Sequence, residues 1–213
     1  MYIATTNEGK IKEIKVAFEN EDVQLIPLEI DFDEVEDGLK QKGIRDMVII
    51  SKAKAIAAFE FLKQKGKELL PVIVDDAGIF FEKLGDAPGI DSKSFVKNHG
   101  GIEGVKKLIK EGDRAYFQSV LSYMEGDLIE PKSFVGKIEG HLSSIDITTE
   151  IESGLPFNHV FIPDGHDEFM YKIPLGVRAK FNHRFKAAEQ LKKFLKESEN
   201  AGLKPGNSTE KLR

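Results

Sequence analysis

Pro71-Val72-Ile73-Val74-Asp75-Asp76-Ala77-Gly78 is the stretch on which the fold turns. Three consecutive β-branched residues favour an extended, buried strand. The strand is predicted to stop at the two carboxylates and to give way to a turn containing Gly78. Upstream, strands are predicted over 1–6 and 23–28, with a helix over 8–19 between them. Ile11, Ile14 and Phe18 recur there at helical spacing among charged residues. An acidic stretch over 29–37 ends at Gly38, and a second helix is predicted over 44–62. Downstream come Ile79-Phe80-Phe81, a turn-rich segment over 85–89, and helices over 92–99 and 102–110. Strands follow over 114–124 and 133–142, then a loop over 154–163 leading into a short apolar strand. The last helix, over 182–197, puts Ala187, Ala188, Leu191, Phe194 and Leu195 on its inner face. Helices follow strands early while the middle is strand-rich, so the pattern predicts a mixed α/β fold and not a regular doubly wound sheet. No repeat of solenoid period is present. Residues 1–197 are expected to form one domain of two closely joined lobes, and 198–213 a solvated, disordered tail.

Composition narrows the classes of function. The 213 residues are 40% hydrophobic and contain no cysteine, so disulfides, thiolate metal sites and a cysteine nucleophile are excluded. No apolar run reaches the roughly 20 residues needed to cross a bilayer, and the opening residues lack the pattern of a secretory signal. A cytoplasmic, membrane-free protein is expected. The formal net charge of −5 argues against a protein that coats nucleic acid, which needs a surplus of Lys and Arg. A local basic pocket for a small polyanion stays compatible with it.

Several short segments carry chemistry. In Thr5-Thr6-Asn7-Glu8-Gly9-Lys10, Thr6 or Asn7 can cap the following helix. Lys10 sits in the first turn, where a cation opposes the helix dipole; a bound polyphosphate would accept from the open amides and pair with that lysine. The segment is not a Walker A loop. Asp75 and Asp76 form adjacent carboxylates at a strand end, costly unless cations or donors meet them. Magnesium suits them, because it takes one or two carboxylates with phosphate oxygens and water. Glu36 is a candidate second ligand, with Glu34 as its rival. Neighbouring strand side chains point in different directions, so one aspartate can hold metal while the other orients water. Asn182 makes a good cap, which leaves His183 and Arg184 at a second helix start that favours an anion. Lys52 and Lys54 lie on the long helix, where lysines ordinarily face solvent. Gly154-Leu155-Pro156-Phe157-Asn158-His159 sets a ring beside groups able to hydrogen-bond a base. His99, His141 and His166 have no metal-ligand spacing, and there is no Gly-x-Ser-x-Gly elbow.

Together these motifs resemble the inosine/xanthosine triphosphate pyrophosphatase family. The resemblance runs from Thr6 to about Leu195. It rests on Thr6-Asn7-x-x-Lys10-x-x-Glu13, Asp75-Asp76-x-Gly78, Ala87-Pro88-Gly89 with Ser92, and His183-Arg184. Arg114-Ala115-x-Phe117 and Phe161-x-Pro163 add to it. It implies an elongated mixed α/β fold with two lobes flanking a substrate cleft, usually a homodimer. It implies magnesium-dependent hydrolysis of inosine, deoxyinosine or xanthosine triphosphate to monophosphate and pyrophosphate. Carried over by residue, the triphosphate falls near Thr6, Asn7, Lys10 and Lys52, and magnesium on Asp75 and Glu36. Asp76 activates or positions water. Phe157, Asn158, Arg178, His183 and Arg184 contact the base and nearby groups. The chain departs from the pattern at Ala77, at Leu155-Pro156-Phe157-Asn158 (one ring and one carboxylate fewer), at Asn182 and at Arg178 in place of lysine. These departures fall on base preference more than on hydrolysis. Two rivals stay open: a pyrophosphatase for deoxyuridine or another modified triphosphate, and a nucleotide-binding sensor without turnover.

Overall fold

A computed structural model of the chain describes residues 1–67, 70–126, 128–144 and 154–200. Among the described residues, seven strands form one mixed sheet and seven α-helices pack on it. The chain runs β1 (Tyr2–Ala4), α1 (Glu8–Ala17), β2 (Ile26–Leu28), α2 (Asp33–Gln41), α3 (Met47–Gln64) and β3 (Val72–Phe81). It continues through β4 (Ala87–Gly89), α4 (Ser92–Asn98), α5 (Ile102–Lys106), β5 (Arg114–Met124) and β6 (Lys132–Leu142). β7 (Phe161–Pro163), α6 (Leu175–Arg178) and α7 (His183–Asn200) complete it. Strand order is β2-β1-β3-β5-β6-β7, with β4 also on β3. β1 lies parallel to β2 and β3, and every other pairing is antiparallel.

The strand expected to end at Asp76 runs on to Phe81, because β5 pairs with it over its whole length, from Val72↔Met124 to Phe81↔Ala115. Gly78 makes no turn. It lies in extended chain, where a Cβ would meet the Gly89 carbonyl oxygen at 2.3 Å. On the opposite edge, β1 pairs with β3 only as far as Val74, and β4 pairs with it only from Ile79 on. Residues 75–78 of β3 therefore face an opening in the sheet.

Pleating sorts the side chains of β3. Ile73 packs with Ile14 of α1 and Leu191 of α7, whereas Val72 and Val74 pack with Ala55, Ala58 and Leu62 of α3. Beyond the opening, Ile79 and Phe81 join Phe117, Phe161 and Val105 in a third cluster. α7 buries Ala187, Ala188 and Leu191 completely, as its apolar spacing requires. Truncating Leu191 to alanine would cost about 2–5 kcal/mol.

Element ends shift where caps and partners decide them. α3 starts at Met47 because the Asp46 carboxylate accepts from the amides of Val48 (2.8 Å) and Ile49 (3.0 Å). From Asp33 on, the acidic stretch forms α2, which carries Asp33, Glu34 and Glu36 in its first turn, where the helix dipole favours negative charge. Gly38 lies inside that helix. α7 continues to Asn200, so 198–200 are helical; the rest of the expected tail, 201–213, lies outside the described residues. Among the described residues, no helix is long and apolar enough to cross a membrane.

Candidate active site

A cleft of about 790 Å³ opens beside residues 75–78 of β3. In an open α/β sheet, ligand crevices form at the carboxyl ends of parallel strands where connections diverge. Here β1 leads by α1 to β2 on one side, and β3 lies on the other.

The first turn of α1 forms one wall. Asn7 caps the helix, its Oδ1 accepting from the Lys10 amide at 3.1 Å. Its Nδ2 donates to the Gly154 carbonyl at 2.9 Å, which ties the helix start to the segment that begins at Gly154. Gly154 has φ +76, and a Cβ there would stand 2.4 Å from Asn7 Oδ1, so only glycine allows this approach. Thr6 is exposed at the rim and lines the cleft. The first-turn position of Lys10 is compensated: its ammonium donates to the Asp75 carbonyl (2.8 Å) and pairs with Asp75 Oδ2 (3.2 Å).

Asp75 and Asp76 point to opposite helices, as the pleat demands. Asp75 is turned to α1 and α7, with its side chain 0% exposed. Arg184 Nε donates to its Oδ2 at 3.0 Å, Lys10 pairs with the same oxygen, and Ser119 Oγ donates to Oδ1. Burial alone would raise its pKa, but the charges of Lys10 and Arg184 and the Ser119 hydrogen bond hold it well below the usual carboxylate range. Asp75 is thus fully engaged by protein donors. That corrects its expected part as a metal ligand, because it lies across the sheet from Glu36.

Asp76 is turned to α3. Lys54 Nζ donates to its Oδ1 at 2.6 Å and also pairs with Glu36 Oε2. Asp76 Oδ2 is buried with no hydrogen-bond partner. Burial would raise the Glu36 pKa, but hydrogen bonds and charge from Lys40 and Lys54 lower it. Glu34 is exposed, whereas Glu36 lines the cleft.

Lys52 is not in the cleft. It lies 31% exposed against Glu130, at 3.2 Å, while Lys54 is only 7% exposed and holds the position expected for Lys52. The buried stripe of α3 runs through Met47, Ile50, Ser51, Lys54, Ala55, Ala58, Phe59 and Leu62. Lys52 falls off that stripe, on the side where Ile49 and Ile56 are exposed.

Arg178 also lies away from the cleft lining. Its Nε stands 3.3 Å from Glu13 Oε1, and it donates to the Met170 carbonyl at 3.2 Å. Glu13 in turn accepts from Arg184 Nη1 at 2.8 Å. Arg178, Glu13, Arg184 and Asp75 form a buried chain of alternating charge that reaches the cleft at Arg184 and Asp75. Ser119 was not expected to take part, and Glu13 entered only as part of the Thr6-Asn7-x-x-Lys10-x-x-Glu13 pattern, with no role of its own.

Phe157 lines the far end of the cleft, with its ring edge-on to Phe81 at 6.0 Å. Asn158 lines it too, beside Leu155, Ile79 and Val96. His183 is set behind this surface, stacked on Phe117 at 4.9 Å, with neither ring nitrogen hydrogen-bonded. Burial first, and Arg184 second, push its pKa well below 6.5, so the ring is neutral at pH 7. Among the described residues, no cluster of three or more His, Cys, Asp or Glu could cage a metal without help from a ligand.

The site can be set beside those of known proteins. The chain is 32% identical to the dITP/XTP pyrophosphatase of Hyperthermus butylicus, over 92% of this chain and 94% of that protein. It is 31% identical to the dITP/XTP pyrophosphatase of Saccharolobus solfataricus, over 91% of this chain and 92% of that one. The solved HAM1 protein of Coxiella burnetii shares the fold at a TM-score of 0.64 and 20% identity, covering 92% of this chain and 98% of its own. The Ham1 protein of Staphylococcus aureus does so at 0.64 and 22%, covering 93% and 100%. The family model described as the Ham1 family matches residues 1–194. The chain belongs to the Ham1 family.

Proposed function

We propose that the protein hydrolyses non-canonical purine nucleoside triphosphates (those of inosine, deoxyinosine and xanthosine) to the monophosphate and pyrophosphate, with magnesium. The observation that carries the reading is the polarised cleft floor. Lys10 and Arg184, at the starts of α1 and α7 and joined through Asp75, bring two cations to one corner, and Glu36 and Asp76, with Lys54 between them, bring two carboxylates to the corner beside it. A cleft of about 790 Å³ has room for a nucleotide. The relatives named dITP/XTP pyrophosphatase support the same reading.

The anionic corner fits magnesium on two counts. Asp76 Oδ2 is a buried acceptor without a donor, and the Lys54 ammonium stands between the two carboxylates as a cation would. We therefore assign Glu36 and Asp76 as the residues that would hold the ion. When bound it supplies positive charge to phosphate oxygens. The protein's own groups do the rest. Lys10 and Arg184 take up charge on the phosphates, and Lys54, released from its carboxylates, adds to them. Asp76 orients the water for in-line attack on the α-phosphorus and accepts its proton. Asp75 fixes Lys10 and Arg184 in place. The apolar end, with Leu155, Phe157 and Asn158, receives the base.

Hypoxanthine and xanthine present an acceptor at O6 and a donor at N1, while adenine presents the reverse; a pocket made for one leaves polar groups unpaired with the other. Asn158 can donate as well as accept, unlike a carboxylate. Xanthosine triphosphate should thus turn over at least as well as inosine triphosphate.

The test is pyrophosphate release from inosine, xanthosine, guanosine, adenosine and deoxyuridine triphosphates, with and without magnesium. Metal-dependent release chiefly from the first two supports the reading. Release chiefly from deoxyuridine triphosphate moves the substrate, and a strong preference for inosine over xanthosine contradicts the part given to Asn158. Asp76→Asn should lower turnover about 10²–10⁴-fold while the chain stays folded, and near-normal turnover removes its assigned role.

A further inference from the structure

The two oxygens of Glu36 have different partners. Oε2 meets Lys54 at the cleft, whereas Oε1 accepts from Lys40 at 2.6 Å, one helical turn further along α2. Lys40 also pairs with Asp91 Oδ1 at 2.8 Å, and the other Asp91 oxygen is held by Arg45. Asp91 stands at the N-cap position of α4, where an aspartate ordinarily accepts a backbone amide, yet it makes no such side-chain bond. Its carboxylate is turned instead to the two cations. α2 itself buries no residue completely, so hydrophobic packing does little to fix a glutamate upon it. A lone i,i+4 ion pair would also hold it weakly. A lysine clamped between carboxylates of two separate elements is a stronger restraint.

We propose that Lys40 and Asp91 are positioning residues: they anchor Glu36 Oε1 so that Oε2 stays presented beside Asp76 to whatever cation stands there. The proposal rests on the assignment of Glu36 and Asp76 above. It separates an anchoring oxygen from a working one, and it predicts that the anchor matters to cation affinity more than to the chemical step. Partners of this kind behind a metal ligand are generally needed to hold it in place.

The experiment compares Lys40→Met, Asp91→Asn and Lys40→Arg with the wild-type chain. Mn²⁺ binding is measured without turnover, by the electron paramagnetic resonance of free Mn²⁺ in the presence of a non-hydrolysable inosine triphosphate analogue. Magnesium activation of pyrophosphate release and the urea unfolding midpoint are measured in parallel. Lys40→Met and Asp91→Asn should each weaken Mn²⁺ binding about tenfold and raise half-activating magnesium by a similar factor. Turnover at saturating magnesium should stay within about twofold of wild type. Lys40→Arg should restore most of the affinity, because it keeps a cation of similar reach. A purely structural role would lower the unfolding midpoint and leave Mn²⁺ affinity alone. Should Lys40→Met fail to fold, Asp91→Asn, on a different element, still decides. Wild-type Mn²⁺ affinity in the folded variants overturns the proposal. A wild-type chain that binds Mn²⁺ with this dependence yet releases no pyrophosphate overturns the proposed function and leaves the positioning intact. A wild-type chain that binds no Mn²⁺ overturns both.

Discussion

Arg184→Met is the sharpest test of the buried charge chain. The Arg184 side chain, 4% exposed, joins Asp75 at 3.0 Å and Glu13 at 2.8 Å, and both carboxylates are at least as buried. Removing one partner of a buried pair costs about 3–5 kcal/mol, since it strands the other charge. Here neither carboxylate is wholly stranded. Asp75 keeps Lys10 at 3.2 Å and Ser119, and Glu13 keeps Arg178 at 3.3 Å. The expected loss is therefore at the lower end, about 3 kcal/mol. With a urea slope of about 3 kcal/mol per molar for a chain of this size, the midpoint should fall by about 1 M at pH 7. The sign of the pH effect follows from Asp75, whose folded pKa is depressed. Its contribution is present above the unfolded carboxylate value of about 4 and is lost as pH falls towards the folded value. In the variant that depression is smaller, so the stability gap should narrow as pH drops below about 4. Adding Asp75→Asn should recover part of the loss, with a coupling energy of about 1–3 kcal/mol. Urea melts followed by both circular dichroism and fluorescence, from pH 7 to pH 3, would check this. A midpoint change under about 0.2 M, or a gap independent of pH, refutes the claim that the chain carries stability.

Two further outcomes follow from the same geometry. Lys54→Met should reduce pyrophosphate release about 10²–10³-fold, whereas Lys52→Met, which loses only a surface pair with Glu130, should stay within about twofold; the reverse ranking would sink the register argument for α3. His183 is buried neutral, so the unfolded chain takes up a proton below about pH 6.5 that the folded chain refuses, and stability falls with pH by up to about 1.4 kcal/mol per unit. In His183→Phe the slope of stability between about pH 6.5 and pH 5 should be shallower by that amount, and an unchanged slope would mean the ring is not buried neutral.

Much of the architecture was legible because apolar periodicity and tertiary packing agree. Ile14 on α1 and Phe18 at its C-cap, and Ala187, Ala188 and Leu191 on α7, are buried as their spacing requires. α2 was illegible for a physical reason. Its apolar stripe is short, with Val35 and Leu39 only half-buried, the surrounding residues are acidic, and Gly38 reads as a terminator. Asp75-Asp76-Ala77-Gly78 reads as a turn by local propensity, yet a ten-residue ladder with β5 overrides that preference. Lys54 was readable in principle: counting from Ile50 and Ser51 towards Ala58 places it on the buried stripe and Lys52 off it. Glu13 and Arg184 each stand in a quoted motif, but their pairing was not readable, because it joins residues 171 positions apart. Long-range ion pairing leaves no local pattern.

The pleat that predicts a division of labour between the two aspartates also decides which of them takes which side. Adjacent residues on an unbulged strand must face opposite sides of the sheet. Asp75 follows Ile73 towards α1 and α7, and there meets Lys10 and Arg184. Asp76 follows Val72 and Val74 towards α3, and there meets Lys54 and, through it, Glu36. One carboxylate is therefore spent on fixing two cations, and the other remains at the anionic corner with an oxygen unclaimed. The two corners lie within reach of one ligand only because β1 ends at Ala4, opposite Val74, and β4 pairs with β3 only from Ile79 on, leaving that edge of β3 open between them. If β1 were longer by a few residues it would pair across the opening, and the floor would become ordinary sheet. The short first strand, and the helix start that follows it, are thus as much part of the site as the charged residues they bring together.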